Sequence, residues 1–545
     1  MIEFQEFKII PILGRKTSVP ADDVTMFKFV DKEGKVALTH DAGGLNFDLS
    51  RRRNACSKSF GYNIYSNSAN AQATKCLGLF ELYDGTNRNY LMWDNGKFYY
   101  LDASLDPTNI DHGTPVTFAT DNVDLYSIIQ VGEYVAWADR GENYAHMWKN
   151  GDANLTRMIY DGNSGGSGTE YKFRYLETFQ RRVIGAYSDQ TNGDIDLRWS
   201  SSWPGTAIGS LNFPAGNQLY IPNDDAITGI RKMGIDRCYV YSENSIHQLA
   251  YLPDYTAPFR LRNIVDGQGS VNHHSIVNLG DRHYFYNKNY GFCEFRGGLG
   301  MFPHGGRPIS EDIENTLQDM NTAYLDLIVG TFFPLHREVV WTVPWSGDIT
   351  PSHLLFYNID TKQWRIEDKV MRYVDNWQIY ADFTWNDLAT AVGGTGIWSD
   401  AGSVTYAYHT AQRGRLVYAN TNGYVYDHST EALATAALDS YRIEPILSFG
   451  DPKRHDLLSE IWFDISVSGG FSIDVSWRGG NTTGEVNDES WTSLGSISCD
   501  DNSRPFLPVN QNQRLHQIKW GTDAKDEKFE VNGITFYHKP SMGTV

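Results

Sequence analysis

The sequence predicts an all-β protein: a six- or seven-bladed β-propeller with one inserted helix and a C-terminal β-sandwich. Three observations point there. One two-stranded unit recurs along most of the chain, aromatic residues make up 14% of it beside 50 glycines, and the stretch after Asp439 alternates apolar and polar side chains. β-Branched and aromatic residues suit a pleated, half-buried surface, and frequent glycines suit many tight turns.

The unit is clearest between Asn272 and Gly298. A turn at Gly280-Asp281 leads into the run His283 to Tyr286, a second turn covers Asn289 to Gly291, and Phe292 to Phe295 completes a hairpin. Asn and Gly accept the positive φ that such turns demand. Further copies run from Tyr90 to Trp93, through Asn95-Gly96, into Lys97 to Leu101; from Gly132 to Trp137, with a turn at Arg140-Gly141; and from Arg182 to Tyr187, through Asn192-Gly193, into Ile195 to Trp199. Arg237 to Tyr241 turns at Glu243 to Ser245 into Ile246 to Leu249, Glu338 to Val343 is followed by Leu354 to Ile359, and Arg415 to Tyr418 turns at Asn422-Gly423 into Tyr424 to Tyr426. The turns fall about 45–50 residues apart through the first five copies and about 60–70 apart later, within or above the length of a propeller blade. Six or seven blades fit this spacing, which does not choose between them.

Three regions follow in order. Residues 1–60 are lead-in strands with short extended pieces and no helical period; they carry Gly14, the Gly43-Gly44-Leu45 element and the basic cluster Arg51-Arg52-Arg53, read as a solvated loop or subunit contact. Residues 61–438 are the propeller, interrupted by the Gly/Ser-rich stretch Asp161 to Thr169, a surface loop by composition. Near 310–326, Ser310 precedes Glu311, Asp312 and Glu314, and Ile313, Leu317, Met320 and Tyr324 recur at helical spacing, predicting an inserted helix of about four turns whose apolar stripe packs. Residues 439–545, with SFGDPKRHDLLSEIWFDISVSGGFSIDVSWRGG and QRLHQIKWGTDAKDEKFEVNGITFYHK, predict the sandwich.

Composition excludes several classes. The net charge is −19, from 66 acidic and 47 basic residues. Such a surface repels phosphate, so tight DNA binding is disfavoured while passage of DNA past it is not. Cysteines 56, 76, 238, 293 and 499 are odd in number and lack paired metal spacing, which suggests neither a disulfide framework nor a zinc site and makes reduced, intracellular folding the default. The stretch MIEFQEFKII does not read as a signal peptide, and no apolar run is long enough to span a bilayer as a helix.

Candidates for chemistry are few. Ser399 to Tyr406 is a single, imperfect match to the Asp-box turn of sialidase-like propellers. His273-His274 would point to opposite faces if they lay on a strand, so both reaching one metal ion is not expected. Asp224-Asp225 and Asp500-Asp501 read as solvated turns rather than calcium sites. No nucleophile elbow, phosphate loop, dinucleotide fingerprint or zinc-protease motif occurs. No catalytic, cofactor-binding or metal residue is therefore assigned, and the expectation is a protein that is not an enzyme and needs no cofactor.

The order of elements carries a resemblance. The lead-in with Gly14 and Gly43-Gly44-Leu45, the hairpin units, SIVNLGDRHYFYNKNYGFCEFRGG, PISEDIENTLQDMN, and the pair HREVVWTVP and HLLFYNIDTKQWRIED follow one another. In this the chain resembles the tail hub or nozzle proteins of short-tailed bacteriophages, also called packaged-DNA stabilisation proteins. The resemblance covers most of the chain and implies a structural virion protein of the tail, assembled in the host cytoplasm. It further implies a ring of copies, six-fold in expectation, that continues the DNA channel below the portal or head-to-tail adaptor, retains packaged DNA and lets it exit. Its partners would be copies of itself, the portal or adaptor, distal tail or fibre proteins, and double-stranded DNA passing without specific contact, with no small-molecule substrate. Two alternatives stand beside it: a carbohydrate-binding or glycan-cleaving propeller of a receptor-binding tail component, and a scaffold for host proteins.

Overall fold

The computed structural model describes residues 5–11, 13–29, 36–49, 55–59, 63–66, 76–85, 87–94, 97–102, 105–110, 125–139, 144–158, 171–203, 211–253, 258–298, 307–377, 414–420, 423–428, 439–449, 454–466, 471–499, 504–523 and 529–540. Among the described residues, seven four-stranded antiparallel sheets follow one another along the chain. Their first strands are Cys76–Tyr83, Ser127–Val131, Phe173–Phe179, Ile227–Met233, Val277–Asn278, Val329–Phe333 and Tyr373–Trp377. Each of these touches the next, and Tyr373–Trp377 touches Cys76–Tyr83, so the sheets close into a ring of seven blades around one axis. Every hairpin unit of the sequence supplies the second and third strands of one blade, as His283–Asn287 and Gly291–Phe295 do for blade 5.

The last blade is completed from the other end of the chain. Its outermost strand is Asn63–Ile64, paired with Val425–Asp427. Neighbouring blades are wedged together by aromatic rings from their second and third strands. Trp93 of blade 1 meets Trp137 of blade 2 at 5.3 Å, and Phe292 of blade 5 meets Trp341 of blade 6 at 4.4 Å. Such pairs add about 0.5–1.5 kcal/mol each beyond the area they bury, which accounts for the aromatic richness of the units. The turn in blade 5 requires its glycine: Gly291 has φ +70°, and a Cβ there would lie 2.4 Å from Ser310 Oγ.

Two of the sequence expectations are corrected. The four-turn helix near 310–326 is instead a 3-10 turn Glu311–Ile313, one α-turn Glu314–Leu317 and a 3-10 segment Thr322–Leu327 with a break at Tyr324. Ser310 does not cap it, because its Oγ accepts from Phe292 N at 3.1 Å, and Asn321 restarts the chain by accepting from Ala323 N. Of the predicted stripe, Ile313 and Met320 pack into the core between blades 5 and 6 and Leu317 lies against it, but Tyr324 does not join them and Leu325 takes its place.

Nor do residues 1–60 form a separate lead-in. Gln5–Ile10 pairs antiparallel with Glu530–Pro540 and parallel with Val36–Thr39, and Cys56–Lys58 also joins Glu530–Pro540. The resulting sheet runs Phe27–Phe29, Val36–Thr39, Gln5–Ile10, Glu530–Pro540, Asp456–Ile465, Phe506–Gln513. It shares one core with the sheet Ser440–Ile443, Leu515–Thr522, Phe471–Gly480, Thr492–Cys499. The sandwich is thus built from both ends of the chain. Gly44 marks one close approach, where a Cβ would sit 2.4 Å from Tyr441 O.

The sandwich is bonded to the propeller through blade 6. Its outermost strand, Trp364–Asp368, accepts main-chain hydrogen bonds from Arg15 N at 2.7 Å and Asn46 N at 2.9 Å, and Asp368 N donates to Asn46 Oδ1 at 2.8 Å. The insertion braces the same joint: Thr17 N donates to Asp312 O at 2.7 Å, and Arg15 Nε to Thr316 Oγ1 at 3.0 Å. Behind it lies a buried charge network. Arg365 holds Glu338 through two nitrogens at 3.1 and 2.8 Å and also Glu367, which in turn pairs with Lys369 and accepts from Ser59. Burial alone would raise the Glu367 carboxyl, but Lys369 and Arg365 outweigh it and hold the group well below the usual carboxylate range.

Two stability predictions follow from this wiring. Ile9→Ala, deep in the sandwich core, is expected to cost about 2–5 kcal/mol by denaturant unfolding; a cost near zero would mean that the N-terminal strand does not dock. Glu367→Gln removes the carboxylate that Lys369 and Arg365 share in the buried network and is expected to cost about 3–5 kcal/mol at pH 7, against little for the exposed Asp360→Asn measured in parallel.

Candidate functional site in the axial channel

The first strands of the blades surround a channel, and side chains that alternate along them point into it or between blades. Toward the C-terminal ends of these strands lies a cavity of about 500 Å³, lined by residues from all seven blades, among them Leu79, Ile129, Glu177, Arg231, Thr331 and Asp375. At the opposite mouth a second cavity of about 200 Å³ is lined by Arg174, Tyr175, Tyr187, Glu243 and Asp326. His274 lines both, and with His273 it forms a waist between them.

The His273 ring of that waist is held on both nitrogens and kept neutral. His273 Nδ1 accepts from Ile230 N at 3.3 Å, which leaves the Nε2 proton for Ser127 Oγ at 3.3 Å, and Tyr175 stacks on the ring at 5.3 Å. Burial, then Arg231 and His274, keeps its basicity well below that of an ordinary histidine. His274 stands edge-on to His273 at 5.2 Å and to Tyr373 at 6.1 Å. The two histidines lie in a turn ahead of the blade 5 strand, not on a strand as the sequence reading had supposed. Among the described residues no group of three His, Cys, Asp or Glu side chains is placed to hold a metal ion.

The larger cavity carries the charge. Glu177 is 4% exposed, and its two oxygens accept from Thr178 N at 2.8 Å and Lys232 N at 3.3 Å. Lys232 Nζ is engaged by Thr178 Oγ1 at 3.0 Å. Arg231 differs, because its contact with Glu177 is 3.9 Å, beyond hydrogen-bond range. Asp375 accepts from Trp377 Nε1 at 3.0 Å, and its carboxyl is pushed up to about 7 by burial, which outweighs the hydrogen bonds from the Asn376 amide and Trp377, with Glu81 adding to the rise and Arg231 opposing it. The site therefore combines one weakly engaged guanidinium with a carboxyl that is partly protonated near neutrality.

The other sequence candidates fall elsewhere. Asp225 accepts from Asn244 N at 3.2 Å and pairs with Ser245 Oγ at 2.5 Å, which caps the Glu243 to Ser245 turn of blade 4, and neighbouring Asp224 has φ +51°. Arg51-Arg52-Arg53, Asp161 to Thr169, Ser399 to Tyr406 and Asp500-Asp501 lie outside the described residues. Glu177, Arg231 and Asp375 were passed over because the hairpin units are second and third strands, whereas these three sit on first strands. A signal existed: each interrupts an apolar run, in YLETF, ITGIRKM and YVDNW.

No known protein family matches the chain, and no curated protein matches it. Among solved structures it is similar to the extracellular domain of a hybrid two-component system of B. thetaiotaomicron, with 9% identity over 82% of this chain and 46% of that one and a TM-score of 0.41. It is also similar to virginiamycin B lyase of Staphylococcus aureus, with 7% identity over 67% of this chain and 98% of that one and a TM-score of 0.39. For an exo-beta-1,3-galactanase of Phanerochaete chrysosporium the identity is 12%, over 80% and 98% of the two chains, with a TM-score of 0.28. The chain spans about half the length of that extracellular domain. Likenesses of this degree bear on no activity, and the propeller assignment rests on the sheet topology itself.

Asp375 gives the site a pH signature. Its folded value lies above the unfolded 3.8, so the stability it contributes is fully present below about pH 4 and is lost as pH rises toward 7. Asp375→Asn, which keeps an acceptor for Trp377, should gain on the wild type through that interval and level off above it. The gain should reach about 2–4 °C in Tm, modest because the group is only part-buried. A difference that stays flat from pH 4 to 8 would show the carboxyl to be solvated.

Proposed function

We propose that the chain is a structural, non-enzymatic virion protein of tail-hub type. The observation that supports this best is the joint at blade 6, where main-chain hydrogen bonds, a buried charge network and the inserted turns join propeller and sandwich into one body. A part that holds pressurised DNA must transmit force without hinging, and main-chain pairing across the joint resists that motion. The order of elements that resembles the phage hubs supports the finer reading, and the net charge of −19 suits a wall past which DNA slides. Copies would close a ring through heterologous contacts, below a portal or adaptor and above distal tail proteins. Electron microscopy of the purified protein and of particles from its source should show rings with a central hole at a head vertex. Discrete monomers on the particles themselves would sink the proposal.

A second reading has its own observation. The axial cavity of about 500 Å³, with Arg231, Asp375 and Thr331 facing apolar Leu79 and Ile129, suits a small polar ligand and supports a carbohydrate-binding propeller. Glu177, whose oxygens are already taken by amides, supports holding rather than cleaving a sugar. Clear signal on a glycan array would favour this reading.

A further inference from the structure

Within the larger axial cavity, the capacity to donate hydrogen bonds exceeds what the walls use. Glu177 is satisfied by two main-chain amides and Lys232 by Thr178, so neither needs the guanidinium beside them. Arg231 is left with one ion-pair contact among the described residues, at 3.9 Å, and its side chain is 25% exposed to the cavity it lines. On the facing blade, Asp375 lines the same cavity and accepts from Trp377 Nε1 and from the Asn376 main-chain amide, which leaves lone pairs on its carboxyl for a ligand. Leu79, Ile129, Val329 and Phe332 supply an apolar wall.

We propose that this cavity binds a small hydroxylated carboxylate of the hexuronic acid class, with its carboxylate on Arg231, a hydroxyl on Asp375, and its ring against the apolar wall. This rests on the carbohydrate-binding reading and narrows it to acidic sugars. The planar fork of an arginine matches two carboxylate oxygens at once, which makes it a selective partner for that group rather than a general cation. Phosphate fits the fork equally well, but it brings close to two charges into a cavity that already holds Glu177 and Asp375. Like charges at this range oppose it, whereas a monoanion is matched by the charge of Arg231 and Lys232 that the two carboxyls leave uncancelled. The hydroxyl requirement comes from the opposite side, because the Asp375 carboxyl in the cavity wall accepts from an alcohol, whereas a plain alkyl acid would cover it without supplying a donor.

Isothermal titration of the full chain with sodium D-glucuronate, D-glucose and inorganic phosphate tests the assignment, using wild type, Arg231→Met and Arg231→Lys. Glucuronate should bind the wild type at least tenfold more tightly than either other probe. Arg231→Met should weaken it at least tenfold with glucose unchanged, and Arg231→Lys, which keeps the charge but loses the fork, should weaken it at least threefold. Should Arg231→Met not fold, the lysine variant carries the same test. Tighter binding of phosphate, or glucuronate affinity indifferent to both substitutions, overturns the proposal. Equal binding of glucose and glucuronate overturns it while leaving the carbohydrate-binding reading in place, and absence of any sugar signal in titration and on a glycan array removes both.

Discussion

Main-chain hydrogen bonds from Arg15 and Asn46 to the outermost strand of blade 6 hold the molecule in one frame, and most of its other features depend on them. Without a partner, Trp364–Asp368 would present an open edge, with unpaired carbonyl and amide groups. The N-terminal segment covers that edge on its way into the sandwich. Having crossed it, the chain forms Cys56–Lys58 against Glu530–Pro540 and then Asn63–Ile64 against Val425–Asp427, so the sandwich and the ring are closed by one excursion. The two closures are therefore mechanically linked.

Charges occur deep inside such a frame only where each has company. Arg442 is fully buried, yet it donates to Glu444 at 3.0 Å, to Thr39 O at 2.8 Å and to Leu13 O at 3.1 Å, which again links the two chain ends. The Arg365 network does the same for blade 6 and Ser59. Buried ion pairs contribute little net stability over well-packed apolar groups, but losing one partner is costly. They select this joint over alternatives rather than strengthening it in general. The axial cavity follows a different rule, since Arg231 and Asp375 are not paired with each other by a hydrogen bond and stand where the first strands leave open volume.

Much of the architecture was legible. Every hairpin unit marked one blade because the central pair of each blade is its most regular part: both strands are paired on both sides and carry the inter-blade aromatics. The blade count was not readable, because first and fourth strands are as short as Val277–Asn278 and Asn63–Ile64, too short to leave a periodic signal. The short helix Thr483–Asp488 was also missed, although Thr482 and Glu485 stand at capping-box spacing; Thr482 Oγ1 accepts from Glu485 N at 3.2 Å, and Glu485 Oε2 from Asn481 N at 2.8 Å.

By itself the sequence determined the class of the fold, the central hairpin of each blade and the site of the insertion, because turn chemistry and side-chain alternation act between neighbours. Tertiary structure alone decided which strand closes the ring, that Gln5–Ile10 belongs with Glu530–Pro540, and that Ser310 serves Phe292 instead of starting a long helix. It also decided that Glu177, Arg231 and Asp375, which lie tens to hundreds of residues apart, share one cavity. Pairings of that kind depend on which backbone groups and charges remain unsatisfied once the local units have formed, and no window along the chain contains both partners.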